Sequence, residues 1–228
     1  MNTRMVEVRA KVLKQNDLLA HDLRKRFHRN GIFAVGLVSS PGSGKTAFLE
    51  KLLSGLASDF RVAALVGDLA TENDAARLQR ATPNVRQITT GTICHLDAQM
   101  VETALEAWPD CKFDFLFIEN VGNLVCPSSY DLGEELRFVL LSATEGEDKP
   151  LKYPTIFNSS DVAIITKMDL AEAAEFDLSA ARRNIESVRP GMQIFEVSSK
   201  TGLGINEVMD FLKSKLARSH EIMVEATL

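Results

Sequence analysis

The chain has 228 residues, 45% of them hydrophobic and 25% charged, which suits one well-packed α/β domain with a short extension. Its formal net charge of -5 argues against a general nucleic-acid binder, whose surface would be basic. No apolar run approaches the roughly 18 residues that a membrane span needs. The opening stretch MNTRMVEVRAKVLKQNDLLAHDLRKRF has no continuous apolar core, so it does not read as a secretory signal, and a cytoplasmic protein without membrane or nucleic-acid partners is expected.

Residues 5–29 read as one helix, because Val6, Val12, Leu13, Leu18, Leu19 and Leu23 recur at roughly helical spacing before Asn30-Gly31 breaks the pattern. The cluster Arg24, Lys25, Arg26, His28 and Arg29 reads as a solvated helix end, where cations offset the negative dipole. Beyond it, apolar runs of strand length at 33–38, 61–66, 85–88, 113–118, 136–141, 162–165 and 193–197 alternate with helix-like stretches at 45–56, 95–108, 179–188 and 205–217. The expected fold class is α/β: a mainly parallel sheet with helices on both faces, since continuous apolar strands fit burial on both sides. The charged stretch Thr144–Pro154, with two prolines, reads as a loop.

The first strand runs into Ser39-Ser40-Pro41-Gly42-Ser43-Gly44-Lys45-Thr46-Ala47, where a helix starts at once. A phosphate loop needs backbone N–H groups turned inward at a helix N-terminus, and Gly42 and Gly44 permit the backbone angles and the close approach. Lys45 supplies a point charge to the β and γ phosphates, and the Thr46 hydroxyl can ligate Mg2+. The usual pattern opens with glycine, and Ser39 stands in that place.

Thr166-Lys167-Met168-Asp169 follows a later strand. One carboxylate at Asp169 can accept from both N1–H and N2–H2 of guanine, a donor pair that adenine lacks, and the Lys167 stem can pack over the purine. Many GTPases have asparagine where Thr166 stands, and Asp169 by itself can equally cap a helix. The turn Ser198-Ser199-Lys200-Thr201-Gly202 can offer N–H groups to the guanine carbonyl oxygen. Asp68 and Glu119 each close a strand at the end of the sheet where such folds bind ligands. Asp68 is read as a Mg2+ and water ligand, Glu119 as holding the ion's water, and the Gly122 N–H as a γ-phosphate contact. Either carboxylate can instead cap a helix or pair with Arg77.

Cys94, Cys111 and Cys126 are too few and too scattered for a disulfide framework. Cys94-His95 precedes a helix, and Cys126 follows Gly122 in the run GNLVCP. Thiolate and imidazole suit Zn2+ or Ni2+, and three ligands leave a fourth position for water, another side chain or a second protomer. Cys111 reads as a small hydrophobe or an exposed thiol. Because Cys126 lies just beyond Gly122, metal affinity is expected to follow nucleotide state, and reciprocally.

The runs SSPGSGKT, GDLATENDAARL, TGTICHLDAQM and FIENVGNLVCP together closely resemble the HypB family, GTPase accessory proteins of nickel-iron hydrogenase maturation. The resemblance spans about residues 33–217. It implies a GTPase with Lys45, Asp68 and Glu119 in catalysis and Mg2+ on Thr46 and Asp68. The nucleotide contacts it implies are Gly42, Ser43, Gly44, Lys45, Thr46, Ala47, Gly122, Lys167, Asp169, Ser199 and Lys200. It further implies a GTP-dependent homodimer binding nickel or zinc through Cys94, His95 and Cys126, served by a HypA-type nickel chaperone and delivering nickel to a hydrogenase large-subunit precursor. Some members carry an N-terminal cysteine-rich nickel site or a histidine-rich tract. In this sequence no cysteine precedes Cys94, and His21 and His28 are isolated. On this reading residues 1–30 form an N-terminal helical extension and 31–228 the P-loop GTPase domain with its embedded metal site.

Overall fold

The computed structural model describes residues 3–69, 73–108 and 112–225. Cys111 and the segment 70–72 lie outside them, as does the Val6 side chain. In chain order the elements are α1 (Thr3–Arg29), β1 (Phe33–Ser39), α2 (Lys45–Leu56), β2 (Val62–Asp68), α3 (Asn73–Leu78), β3 (Val85–Thr89), α4 (Ala98–Leu105), β4 (Phe115–Glu119), β5 (Leu136–Ser142), α5 (Lys149–Lys152), α6 (Pro154–Asn158), β6 (Val162–Thr166), α7 (Leu178–Val188), β7 (Gln193–Glu196) and α8 (Ile205–Glu225). Seven strands pair in the order β3-β2-β4-β1-β5-β6-β7, all parallel. The expected class is borne out.

Alternate residues of the central strands feed two faces. Phe33, Val35 and Leu37 of β1 pack with Phe48, Leu52 and Leu56 of α2 and with Val208 and Leu212 of α8. Ala34, Ala63, Leu65, Leu116 and Ile118 face the other way, against Ala20, Leu23 and Phe27 of α1 and Val101 and Leu105 of α4. A third cluster joins β5 and β6 to Ile156 and Phe157 of α6 and to Ala181 and Ile185 of α7. Every strand therefore delivers its C-terminal end to one rim of the sheet, where ligands bind in this architecture.

The packed face of α1 only partly matches the one the apolar spacing suggested: Leu23 is buried and Leu19 packs against the core as expected. Val12 and Leu18 are 50% and 62% exposed, whereas Asn16, Ala20, Leu23 and Phe27 are buried. Asn16 belongs to that face because its amide is bonded at both ends, donating to the Asp131 carbonyl and accepting from the Ala98 N–H, each at 2.9 Å. The basic end of α1 is not uniformly solvated either. Arg24 donates to both oxygens of Asp131 and to the Glu134 carbonyl, and His28 meets Glu135 at 2.7 Å.

Burial alone would push the Asp131 carboxyl up, but hydrogen bonds from Arg24 and the Gly133 N–H hold it below its usual range. Its contribution to stability is complete above the unfolded-chain pKa of about 3.9 and is lost as pH falls through the depressed native value. Arg24→Ala is expected to cost about 1 kcal/mol near neutral pH in urea unfolding, a difference that shrinks below about pH 4.

The stretch Thr144–Pro154 is folded rather than a loop. A 3-10 turn at Ala143–Glu145 leads into α5 and α6, with Pro150 and Pro154 in the first turns of those helices. Proline costs nothing there, because the first N–H groups of a helix have no internal partner. Asn184 of α7 donates to the Glu147 carbonyl at 2.8 Å and ties the stretch down.

Candidate functional site

Three groups of side chains meet at the C-terminal rim of the sheet. The first surrounds the phosphate loop. Gly42 and Gly44 have φ of 73° and 93°, backbone that only glycine adopts without strain, and α2 begins directly at Lys45. The Lys45 ammonium is buried and donates to Ser39 Oγ at 2.8 Å, and the Ser43 hydroxyl also donates to that oxygen. Serine in the place of glycine thus gives the lysine a seat inside the loop. Burial pulls the Lys45 pKa down, with Glu119, Asp74 and Glu145 partly restoring it.

The adjoining cleft, about 390 Å3, is lined by the loop from Pro41 to Ala47, by Asp68 and by the run Glu119–Gly122. The Thr46 hydroxyl donates to Glu119 Oε1 at 2.7 Å. Glu119 is 3% exposed, and burial raises its carboxyl to about 7 against the downward pull of Lys45 and Thr46. Its other oxygen, Oε2, is buried without a hydrogen-bond partner among the described residues. An unpartnered buried carboxylate oxygen beside a hydroxyl and the Asp68 carboxylate fits a hard cation and its water, the donor chemistry of Mg2+. Arg77 pairs with Glu50, at 2.7 Å, rather than with Asp68 or Glu119. Asp74 and Arg77, both on α3, also line the cleft; sequence reading gave Asp74 no place there and Arg77 only as an alternative partner for Asp68 or Glu119. Their helical spacing relative to Asp68 carries no phosphate-loop signature; only the packing of α3 brings them in.

The second group lies where β6 and β7 end. Thr166 is buried and its hydroxyl donates to the Ser43 carbonyl at 2.6 Å, which ties the end of β6 to the phosphate loop. Lys167 has φ of 58° and its ammonium donates to the Gly42 carbonyl at 2.7 Å, so its stem crosses from one group to the other. Asp169 Oδ1 accepts from the Ser198 hydroxyl at 2.6 Å, with Lys200 at 4.0 Å from Oδ2. Ser199 is half-buried and Lys200 exposed in the same turn.

The third group is Cys94, His95 and Cys126, whose ligand atoms all lie within 4.8 Å of one another. The two sulfurs are 3.2 Å apart. The expected helix start at His95 is displaced to Ala98: Asp97 is its N-cap, in extended backbone, and accepts from the Met100 N–H at 2.8 Å. The cap keeps Cys94 and His95 out of the helix and free to turn toward Cys126. His95 stacks on Tyr130 with ring centroids 4.1 Å apart, and its Nδ1 is buried without a partner among the described residues. Burial lowers the His95 pKa, partly offset by Asp97, so the imidazole is neutral and its lone pair available at neutral pH. Asn123 Nδ2 donates to the Cys94 carbonyl at 3.4 Å while its Oδ1 accepts from the Val125 N–H, bracing one ligand loop against the other. Tyr130 and Asn16 escaped sequence reading, because an isolated aromatic or amide carries no motif, and Asn123, although within the run FIENVGNLVCP, was given no role of its own.

The family model described as "CobW/HypB/UreG, nucleotide-binding domain" matches residues 33–196. The chain belongs to this family. Within it, the likeness to HypB members runs nearly end to end. The hydrogenase/urease maturation factor HypB of Helicobacter hepaticus is 43% identical over 225 residues, 97% of this chain and 92% of the relative. The hydrogenase maturation factor HypB of Rhizobium leguminosarum bv. viciae is 43% identical over 215 residues, 94% of this chain and 72% of the relative. The crystal structure of HypB from Helicobacter pylori in complex with nickel superposes with a TM-score of 0.85 at 43% identity, covering 90% of this chain and 96% of that one. The 54 kDa protein of the Aeropyrum pernix signal recognition particle matches at a TM-score of 0.55 and 16% identity, a likeness of fold alone. No helix among the described residues is long and apolar enough to cross a membrane.

Proposed function

We propose that the protein is a GTP-hydrolysing metallochaperone switch that binds nickel or zinc and assists nickel insertion during hydrogenase maturation. The observation that carries this reading is the three-ligand cluster of Cys94, His95 and Cys126 at the same rim as the phosphate loop. Lys45 and the loop N–H groups bind the phosphates, and Asp169 selects guanine over adenine. Thr46 and Asp68 hold Mg2+, and Glu119 holds its water. The ion, when bound, neutralises charge developing on the transferred phosphoryl group. This chain's own part is to orient the phosphates and hold Lys45 and Glu119 in a dry cleft, where burial disfavours each ionised form but leaves the lysine's pull on a phosphate little screened.

Nickel is the cargo. Two thiolates and one imidazole leave a position open, as a site that must release its metal requires. Ile93 and Val125, 40% and 61% exposed, flank the cluster and suit coverage by a second copy, which supports a GTP-dependent homodimer with the site at its interface. A HypA-type nickel chaperone and a hydrogenase large-subunit precursor are the partners this role calls for. The joint name borne by the Helicobacter relative makes urease a second client class.

Calorimetric titration of Ni2+ and Zn2+, with GDP or with a non-hydrolysable GTP analogue and Mg2+, tests the proposal. Metal affinity or stoichiometry is expected to change with nucleotide. Identical isotherms in both states would leave a static metal site and end the switch reading.

A further inference from the structure

The phosphate cleft and the metal loop share one buried side chain. Asn120 follows Glu119 at the end of β4 and is 2% exposed. Its Oδ1 accepts from the N–H of Leu96 and from the N–H of Val121, each at 2.9 Å. Its own N–H donates to the Leu37 carbonyl of β1 at 2.9 Å. Leu96 is the residue after His95, and Val121 is the residue before Gly122, so a single oxygen spans the two loops.

Close packing removes slack on both sides of that oxygen. A Cβ on Gly122 would lie 2.8 Å from the Cα of Pro41, so the Val121–Gly122 backbone is pressed against the phosphate loop. A Cβ on Gly67 would lie 2.8 Å from Cγ of Leu96, so the metal loop is pressed against the residue preceding Asp68. Were the two loops to move apart, one buried N–H would lose its acceptor, and an unpaired buried donor is costly. Moving together avoids that cost.

We infer that Asn120 is a positioning residue that transmits the state of the phosphate cleft to the Cys94–His95 loop. The inference rests on the metal switch proposed above and names the contact through which it works. A γ-phosphate drawing on the Gly122 N–H shifts Val121, Asn120 carries Leu96 with it, and the spacing of Cys94 and His95 from Cys126 changes. Asn16 provides the contrast. It holds the same two ligand segments from α1, through Ala98 and Asp131, but does not line the phosphate cleft.

The test is Ni2+ affinity of the full chain by chelator competition, in GDP and in a non-hydrolysable GTP analogue, each with Mg2+. The wild-type ratio between the two states is expected to be at least about fivefold. Asn120→Ala brings that ratio to within about twofold of unity, while Asn120→Asp, which keeps the oxygen acceptor, preserves it. Asn16→Ala weakens Ni2+ binding in both states and preserves the ratio. A wild-type ratio of one sinks the switch itself and this inference with it. A normal wild-type ratio that survives in Asn120→Ala, or vanishes equally in Asn16→Ala, overturns this inference alone. Hydrogen exchange on the wild type needs no variant: protection of the Leu96 amide is expected to change between the nucleotides. An unchanged Leu96 amide alongside nucleotide-dependent Ni2+ affinity also overturns it.

Discussion

Asp169→Ala is expected to weaken GTP and GDP binding by about two to four orders of magnitude while leaving the fold intact. The size follows from the chemistry of the base edge. An ionised carboxylate accepting two guanine N–H donors contributes about 1.5–3 kcal/mol per bond, and neither donor finds another acceptor once it is gone. The structure adds pre-orientation, since the Ser198 hydroxyl holds Oδ1 at 2.6 Å with the turn after β7 behind it. The side chain is not part of any hydrophobic cluster, so its loss should leave the thermal midpoint nearly unmoved. Asp169→Asn provides a sharper version. It places an amide donor opposite the 2-position, so binding should pass from guanine toward xanthine nucleotides, whose 2-carbonyl accepts. Fluorescent-nucleotide displacement measures both. Guanine affinity unchanged in Asp169→Ala would remove the argument for guanine, and a small-molecule kinase using ATP on the same phosphate loop would become the better reading.

Cys126→Ala is expected to lower Ni2+ and Zn2+ affinity by more than about 100-fold, because partners that merely support a ligand already cost 10–100-fold when lost. Its sulfur is 3.2 Å from that of Cys94, and with it gone only one thiolate and one imidazole remain. Binding of the GTP analogue serves as the check that the domain is folded, since Cys126 heads the turn Cys126–Ser129 and does not line the phosphate cleft. Metal titration by calorimetry reads the outcome. Metal bound as tightly as in the wild type would mean that the cluster is not the site.

Both predictions use residues that were legible in the sequence, and the reason is physical. A phosphate loop is local chemistry: a strand, a tight turn and a helix start within a few residues of one another. The backbone angles required at Gly42 and Gly44 leave a mark on residue type. Cys94-His95 is likewise a local cue. What it could not show is that Cys126, 32 positions away, ends beside Cys94, or that Asp97 stops the helix short so that both ligands remain in a bend. The apolar spacing of α1 was a weaker guide. Val12 and Leu18 fit the helical period yet face outward, while Asn16 goes inward because its amide finds Ala98 and Asp131. No rule of hydrophobic period places a polar residue on the buried face; its partners do, and they are distant in the chain. Thr144–Pro154 misled for the opposite reason. Charge and proline suggested a loop, but proline opens both short helices and Asn184 fixes the segment from α7.

The sequence by itself determined the parallel α/β class and the phosphate-loop pattern, and it supplied candidates for base recognition and for soft metal ligands, because each of these cues is a residue type in a short window. Tertiary structure alone decided how these parts connect. It seated Lys45 on Ser39, buried Glu119 against Thr46 until its carboxyl rose to about 7, and stacked His95 on Tyr130. It also set one Asn120 oxygen between the phosphate-side and metal-side loops. Apart from Lys45 on Ser39, which lies within one loop, these are contacts between segments tens of residues apart, made only when the strands of one sheet bring their ends to a common rim, and a dry interior gives each of them its strength.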